Sequence, residues 1–463
     1  MNAALALVLA VSMTGIAHAD ATPGCAPPVP STTQPGYTVF DPNCDPTGTP
    51  FTALDGAHTY TGIRDGAAYR IEVPDRWNGK LVVWAHGYRG AGTTVFVSSP
   101  ELRAHYLDSG YAWAASSYAT NGYDVGQGVR DSYAMVGIFR QVTGRPARSV
   151  IMSGESMGGQ VTAVAIETYP RAFAGAMPYC GVLGDVQLFD YFLDANVTAA
   201  ALSGVRITFP LAPPADYQDQ WRAQVGAMLP ALGVATGKPP TLSEKGKAWS
   251  SAVERRSGGE RPGFDSAFAY WNTATSLAPL DDLPFLFGLY PGLSGGTEYI
   301  APGNVTDNRF TRYGWPLDAQ VLRVRRTALP DPGLDGIPRV DGNPRIPVLS
   351  LHDIGDLFVP ISMEQVYAAR AAAHGRAGLF VSRAIRGTGH CDFNQAELTS
   401  AFDDLTSWIR TGHRPAGDAI RNPRVVASPT FGCRFTRGTH PAFVATPCPS
   451  SGEAVTTGAA ARS

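Results

Sequence analysis

The sequence predicts an α/β fold: a mostly parallel central sheet flanked by helices, interrupted by a large, mainly helical insertion. Three observations predict it. Between Tyr69 and Tyr179 short apolar runs alternate with stretches of helical spacing, which is the signature of a βαβ succession. Lys80 to Ala85 is apolar at nearly every position, as a strand covered on both faces of a parallel sheet requires. The alternation stops near Gly181 and resumes at Ile346, and the residues between are too many for a structureless loop.

Taken in order, Tyr69 to Val73 and Lys80 to Ala85 read as strands, Ser99 to Ser109 as a helix and Tyr111 to Ser117 as a strand. Val125 to Val142 reads as a helix and Arg148 to Gly154 as the next strand. The helix after it packs through Gly159, Val161, Ala163, Val164, Ala165 and Ile166 and ends at Pro170. Ala174 to Tyr179 follows as a strand. After the insertion come Ile346 to His352 (strand), Ser362 to Ala373 (helix), Gly378 to Ile385 (strand) and Asn394 to Ile409 (helix). The expected organisation is a leader at 1–19, a disulfide-tied arm at 20–60, a core at 61–182 and 342–412, a cap at 183–341, and an extension at 413–463. A laterally packed extra domain is the alternative to a cap. The insertion is rich in aromatics: Phe189, Tyr191, Phe192, Tyr217, Trp221, Trp249, Phe268, Tyr270, Trp271, Phe285, Phe287 and Tyr290 fall within it. They suit an apolar or aromatic ligand or, equally, the core of the insertion itself. The tail from Ser450 to Ser463, composed largely of Gly, Ala, Ser and Thr, reads as disordered.

Composition narrows the classes. Of 463 residues, 44% are hydrophobic and 16% charged, and the formal net charge is −2, which gives no support to a nucleic acid or an anionic membrane surface as partner. Ala3 to Val11 followed by Ala17-His18-Ala19 reads as an export signal cleaved before Asp20, although it lacks a basic start. No later run is long and apolar enough to cross a bilayer, so the mature chain is expected to be exported, extracellular or periplasmic. Six cysteines, an even number, agree with an oxidising compartment. Proximity favours Cys25–Cys44 and Cys433–Cys448, leaving Cys180 and Cys391. With no C-x-x-C, zinc or thioredoxin-type chemistry is not expected, and no cofactor or metal is called for.

Chemistry concentrates in four motifs. Gly154-Glu155-Ser156-Met157-Gly158 follows an apolar strand and opens a helix, so a sharp turn would hold the Ser156 hydroxyl out at the sheet edge. The flanking Gly154 and Gly158 are expected where side chains would collide. Its plain alternative is a helix-capping serine. His86-Gly87-Tyr88-Arg89-Gly90 follows the strand ending at Ala85. Gly87 lets the backbone turn, so the N–H groups of Tyr88 and Met157 are the candidate oxyanion donors, with His86 in a supporting role. The acid is expected at Asp356, in Leu351-His352-Asp353-Ile354-Gly355-Asp356, with Asp353 as competitor. The base is expected at His390, in Gly387-Thr388-Gly389-His390-Cys391, after the last strand and before the last core helix.

With these residues in place, the chain resembles the α/β-hydrolase superfamily from Tyr69 to about Ile409, the insertion aside. The resemblance carries over Ser156, Asp356 and His390 as catalytic triad and the turn at Gly87-Tyr88 as oxyanion loop. Within the superfamily the chain looks like secreted bacterial serine esterases with a large cap and a Gly-His-Cys-x-Phe signature, here Gly389-His390-Cys391-Asp392-Phe393. It is also similar to the tannase and feruloyl esterase family, where a cysteine follows the catalytic histidine and pairs with one immediately before the serine. Here that position is Glu155, a departure from the pattern, so Cys391 needs another partner. Cys180, at the end of the strand after the nucleophile helix, is the expected one; two buried free thiols are the alternative. The implied reaction is hydrolysis of a small-molecule or polymeric ester through an acyl-enzyme. Two other readings stand beside it. One is an exported serine peptidase or amidase, for which Glu155, Asp281 and Asp282 could bind an amino terminus; the other is a binding protein on the same fold. Oligomeric state is not legible.

Overall fold

The computed structural model describes residues 24–210, 214–275, 280–288, 304–328 and 333–449. Among them the chain forms β1 (Val29–Pro30), β2 (Thr38–Val39), β3 (Ala57–Arg64), β4 (Ala67–Pro74), β5 (Lys80–Ala85), β6 (Thr94–Val95), α1 (Arg103–Asp108), β7 (Ala112–Ser116), α2 (Val125–Thr143), β8 (Ser149–Glu155), α3 (Met157–Thr168) and β9 (Gly175–Tyr179). Helices follow: α4 (Gln187–Ser203), α5 (Tyr217–Leu232), α6 (Glu244–Arg256), α7 (Phe264–Thr273), α8 (Phe285–Gly288) and α9 (Leu317–Gln320). The chain then returns through β10 (Val348–Asp353), α10 (Ser362–Ala373), β11 (Phe380–Ile385), α11 (Gln395–Thr411) and α12 (Pro423–Val426). The leader read at 1–19, the tail from Ser450 and Tyr290 lie outside the described residues.

The main sheet has the strand order β11-β10-β9-β8-β5-β7-β4-β3. Six strands, β11 to β7 in that order, pair in parallel, and β4 runs antiparallel to both β7 and β3. In chain order this is one, two, four, three, five, six, seven, eight, with a single exchange. This is the topology of the α/β-hydrolase fold. The nearly all-apolar β5 is explained by its two covered faces. Leu81, Val83 and Ala85 join the core shared with α2, α3 and α10, while Val82 and Trp84 join the opposite core with α1 and α11.

Helix ends follow local chemistry. The Asp124 side chain accepts from the Gln127 N–H at 3.0 Å and starts α2, which Gly144 stops in the left-handed region at φ 69°. Asn394 and Glu397 form a reciprocal capping box at the start of α11. The strand β3 has no counterpart in the sequence reading, which begins its strands at Tyr69. Its signal is Asp65-Gly66, where positive φ of 51° and 82° builds the tight turn joining β3 to β4. The expected helix from Ser99 is shorter, starting only at Arg103.

The aromatics between β9 and β10 mostly fill that segment's own core: Phe189, Tyr191, Tyr217, Trp221, Trp249, Phe268 and Phe287 are buried. Ion pairs tie its later part to α4, with Asp190 to Arg326 at 2.7 Å and Asp194 to Arg256 at 2.5 Å. The six cysteines form three disulfides, Cys25–Cys44, Cys180–Cys391 and Cys433–Cys448.

Candidate active site

Ser156 sits between β8 and α3 with φ 54° and ψ −121°, a strained conformation for a residue with a side chain. Sterics explain the glycines around it. A methyl group at Gly154 would lie 2.4 Å from the Gly158 carbonyl, and one at Gly158 would lie 2.1 Å from the Ala85 carbonyl. The strained turn is held by its neighbours: the Ser156 N–H donates to Tyr179 O at 3.1 Å, and Ser156 O accepts from Gly159 at 2.9 Å. The serine is 8% exposed.

His390 reaches it from the loop after β11. Its Nε2 lies 2.7 Å from Ser156 Oγ, and its Nδ1 lies 2.6 Å from Asp356 Oδ2. Asp356 is fully buried, and its other oxygen accepts from the N–H groups of Phe358 at 2.8 Å and Val359 at 3.0 Å. These donors fix the carboxylate, which in turn fixes the ring with its proton on Nδ1 and its lone pair toward the serine. Asp353 takes a different part. It accepts from the Asp392 N–H at 2.8 Å, and burial, with the charges of Asp392 and Asp356, pushes its carboxyl well above the usual range.

Gly87 brings the loop after β5 against the serine: a methyl group there would lie 3.1 Å from Ser156 Cβ. Tyr88 is the next residue. Met157 is the first residue of α3, where a helix leaves its N–H without an intrahelical acceptor. His86 faces two carbonyls, Gly87 O at 2.7 Å and Ser117 O at 3.1 Å, and stacks on Tyr118. Burial and the charge of Arg89 hold its pKa well down, against the pull of the two carbonyls. Glu155 turns toward the same loop, accepting from the Gly87 N–H at 3.5 Å; burial and Glu101 raise its carboxyl. Asp282 is held on the surface by Arg222 at 3.0 Å, and Asp281 is exposed.

Sequence reasoning missed how the segment between β9 and β10 grips the site. Trp271 Nε1 donates to Gly355 O and Thr388 O, each at 3.0 Å, and so joins the acid loop to the histidine loop. Arg261 donates to Ile354 O at 2.6 Å and Tyr191 to Leu357 O at 3.0 Å. Phe358, not singled out in the sequence, packs edge-on to His390 at 5.0 Å and contacts Phe192, Trp271 and Phe285. The sulfurs of Cys180 and Cys391 lie beside His390, but they are joined to each other and offer no thiolate to a metal.

The strand order and the turn at Ser156 place the chain in the α/β-hydrolase fold. No family model matches it. A curated relative, the o-phthalyl amidase of Xanthobacter agilis, is 35% identical over 77 residues, covering 17% of this chain and 17% of the relative, so the chain spans less than a fifth of that protein's length. Solved structures similar to it include an esterase from Aspergillus oryzae (13% identity, TM-score 0.41, covering 78% of this chain and 80% of that one). Feruloyl esterase B from the same organism has 13% identity and a TM-score of 0.39, covering 80% and 83%. The rice cell wall degrading esterase LipA of Xanthomonas oryzae has 16% identity and a TM-score of 0.35, covering 75% and 89%.

Proposed function

We propose that this protein is an exported serine hydrolase that cleaves carboxylic esters through an acyl-enzyme. The observation that carries the reading is the unbroken relay from Ser156 Oγ to His390 Nε2 (2.7 Å) and from His390 Nδ1 to Asp356 Oδ2 (2.6 Å). His390 takes the serine proton as Oγ attacks the ester carbonyl. The oxyanion forms against the N–H groups of Tyr88 and Met157, one such donor being worth about 3 kcal/mol in the transition state. The C–O bond to the leaving alcohol then breaks as the imidazolium returns its proton to that oxygen. Water, deprotonated by the same ring, attacks the acyl carbon, and Ser156 leaves with its proton restored. Asp356 keeps the ring in the right tautomer and stabilises its charged form. In this reading the segment 183–341 caps the site, supported by the grip of Trp271, Arg261 and Tyr191 on the triad loops. Export is supported by the leader-like start of the sequence and three disulfides; among the described residues no helix is long and apolar enough to cross a membrane.

Amide cleavage is the second reading, favoured by the short stretch shared with an amidase. The same relay serves it, with an amine as leaving group. Hydrolysis of p-nitrophenyl esters of graded chain length, beside an aminoacyl p-nitroanilide panel, tests both with the mature protein and Ser156→Ala. Ester turnover lost in the variant is the expected result. Turnover of anilides alone moves the assignment to an amidase, and silence on both from folded protein overturns the catalytic reading.

A further inference from the structure

The extension after α11 delivers one ionisable side chain to the back of the histidine loop. His440 lies in the stretch closed by Cys433–Cys448, with its side chain 5% exposed. Its Nε2 lies 3.0 Å from Glu397 Oε1 and its Nδ1 lies 3.6 Å from Asp392 Oδ2. Both ring nitrogens therefore face carboxylate oxygens. A neutral ring would turn a lone pair onto one of them; the imidazolium donates to Glu397 and pairs by charge with Asp392. The charged groups around it are Asp392, Glu397 and, further off, Asp353. Burial opposes the charge, yet the two carboxylates outweigh it and raise the His440 pKa to about 10.

The partners of those carboxylates give the arrangement its direction. Glu397 anchors the extension: Oε2 accepts from the Asn394 N–H at 2.9 Å and Oε1 from the Arg437 N–H at 2.8 Å. Asp392 faces the catalytic loop. Its Oδ2 accepts from the Thr388 N–H at 3.3 Å and the Gly389 N–H at 3.4 Å, the two residues before His390. Its own N–H is held by Asp353. The loop carrying His390 is thus wound around one carboxylate oxygen, and that oxygen is faced from behind by His440.

We infer that His440 is a positioning residue for the triad: acting through Asp392, it holds the Thr388-Gly389 turn in the register that puts His390 between Ser156 and Asp356. The inference rests on the triad reading above and gives the C-terminal extension a part in catalysis. Without the cation, Asp392 loses the charge that keeps it turned inward, since its side chain is 45% exposed and water competes for it. The two amides lose their acceptor and the loop loosens. A displacement of about 1 Å in a catalytic group costs on the order of a hundredfold in rate, so a tenfold or larger loss of kcat per active site is expected.

The test compares the full chain with His440→Gln, Asp392→Asn and the double variant. Amide hydrogen exchange is followed by mass spectrometry on peptides spanning residues 386–393. Serine sites are counted with a fluorophosphonate, and kcat and KM are measured on a p-nitrophenyl ester. His440→Gln should exchange faster in that loop while the strands keep their protection, and kcat per titrated site should fall at least about tenfold with KM little changed. The double variant should be no worse than Asp392→Asn, because the two act in series. Unchanged exchange in the loop, unchanged kcat per titrated site, or losses that multiply in the double variant would each overturn the inference. Failure of the wild-type serine to react with the fluorophosphonate would sink the hydrolase reading instead, and the exchange comparison would still decide whether His440 holds the loop.

Discussion

At the residue scale, the acid is the most informative choice. Asp353, the last residue of β10, and Asp356, in the turn after it, lie three positions apart, both fully buried, and their partners tell them apart. Asp356 faces His390, while Asp353 faces the Asp392 amide with its carboxyl pushed up. Asp356→Asn should lower kcat roughly 10⁴-fold by stabilising the wrong tautomer. Asp353→Asn replaces a group that makes no contact with His390 and whose charged form burial disfavours, and it should cost a small fraction of that in the same assay. His440 makes a stability prediction with a definite sign. Its folded pKa is raised to about 10 from an ordinary 6.5. The stabilisation is full below about pH 6.5 and drains away as pH rises to about 10. Urea midpoints measured at about pH 6 and pH 9.5 should fall with rising pH, by less in His440→Gln. Ser156 and His390 were legible because glycine-flanked motifs carry their own sterics. Phe358, Trp271 and His440 were not, because their partners lie far along the chain or on other elements, and no local pattern records that.

At the scale of elements, the turn from β8 to α3 and the tie from β9 to the histidine loop hold the site. Gly158 has no room for a side chain against the Ala85 carbonyl, so Gly158→Ala should destabilise by about 3 kcal/mol, read as a lower urea midpoint at unchanged m. Cys180–Cys391 joins the end of β9 to the residue after His390 across 211 positions of sequence. Replacing both cysteines by alanine should lower kcat and leave KM and the two terminal disulfides unaffected, as kinetics and mass mapping of the remaining bridges would report. The parallel strands were legible because both faces are covered and their sequences are largely apolar. β3 was missed because it is an edge strand with mostly half-buried and exposed positions, and its signal lay in the Asp65-Gly66 turn rather than in its own hydrophobicity.

At the scale of the whole molecule, three separate stretches converge on two loops. The core strands present Ser156, Asp356 and His390. The segment between β9 and β10 pins the acid and histidine loops through Trp271, and the C-terminal extension faces the histidine loop with His440. The succession of strands and helices from Tyr69 onward was readable from alternation, whereas the contacts of Trp271 and His440 with the two loops are tertiary facts with no period in sequence. The central claim is that Ser156, driven by His390, forms a covalent acyl intermediate. Rapid-quench hydrolysis of p-nitrophenyl acetate with peptide mass mapping tests it most directly. Expected are a burst of one p-nitrophenol per active site and an acetyl group on Ser156, both absent in His390→Ala. Turnover without a burst and with no acyl group on Ser156, or an acyl group trapped on another residue, would contradict it.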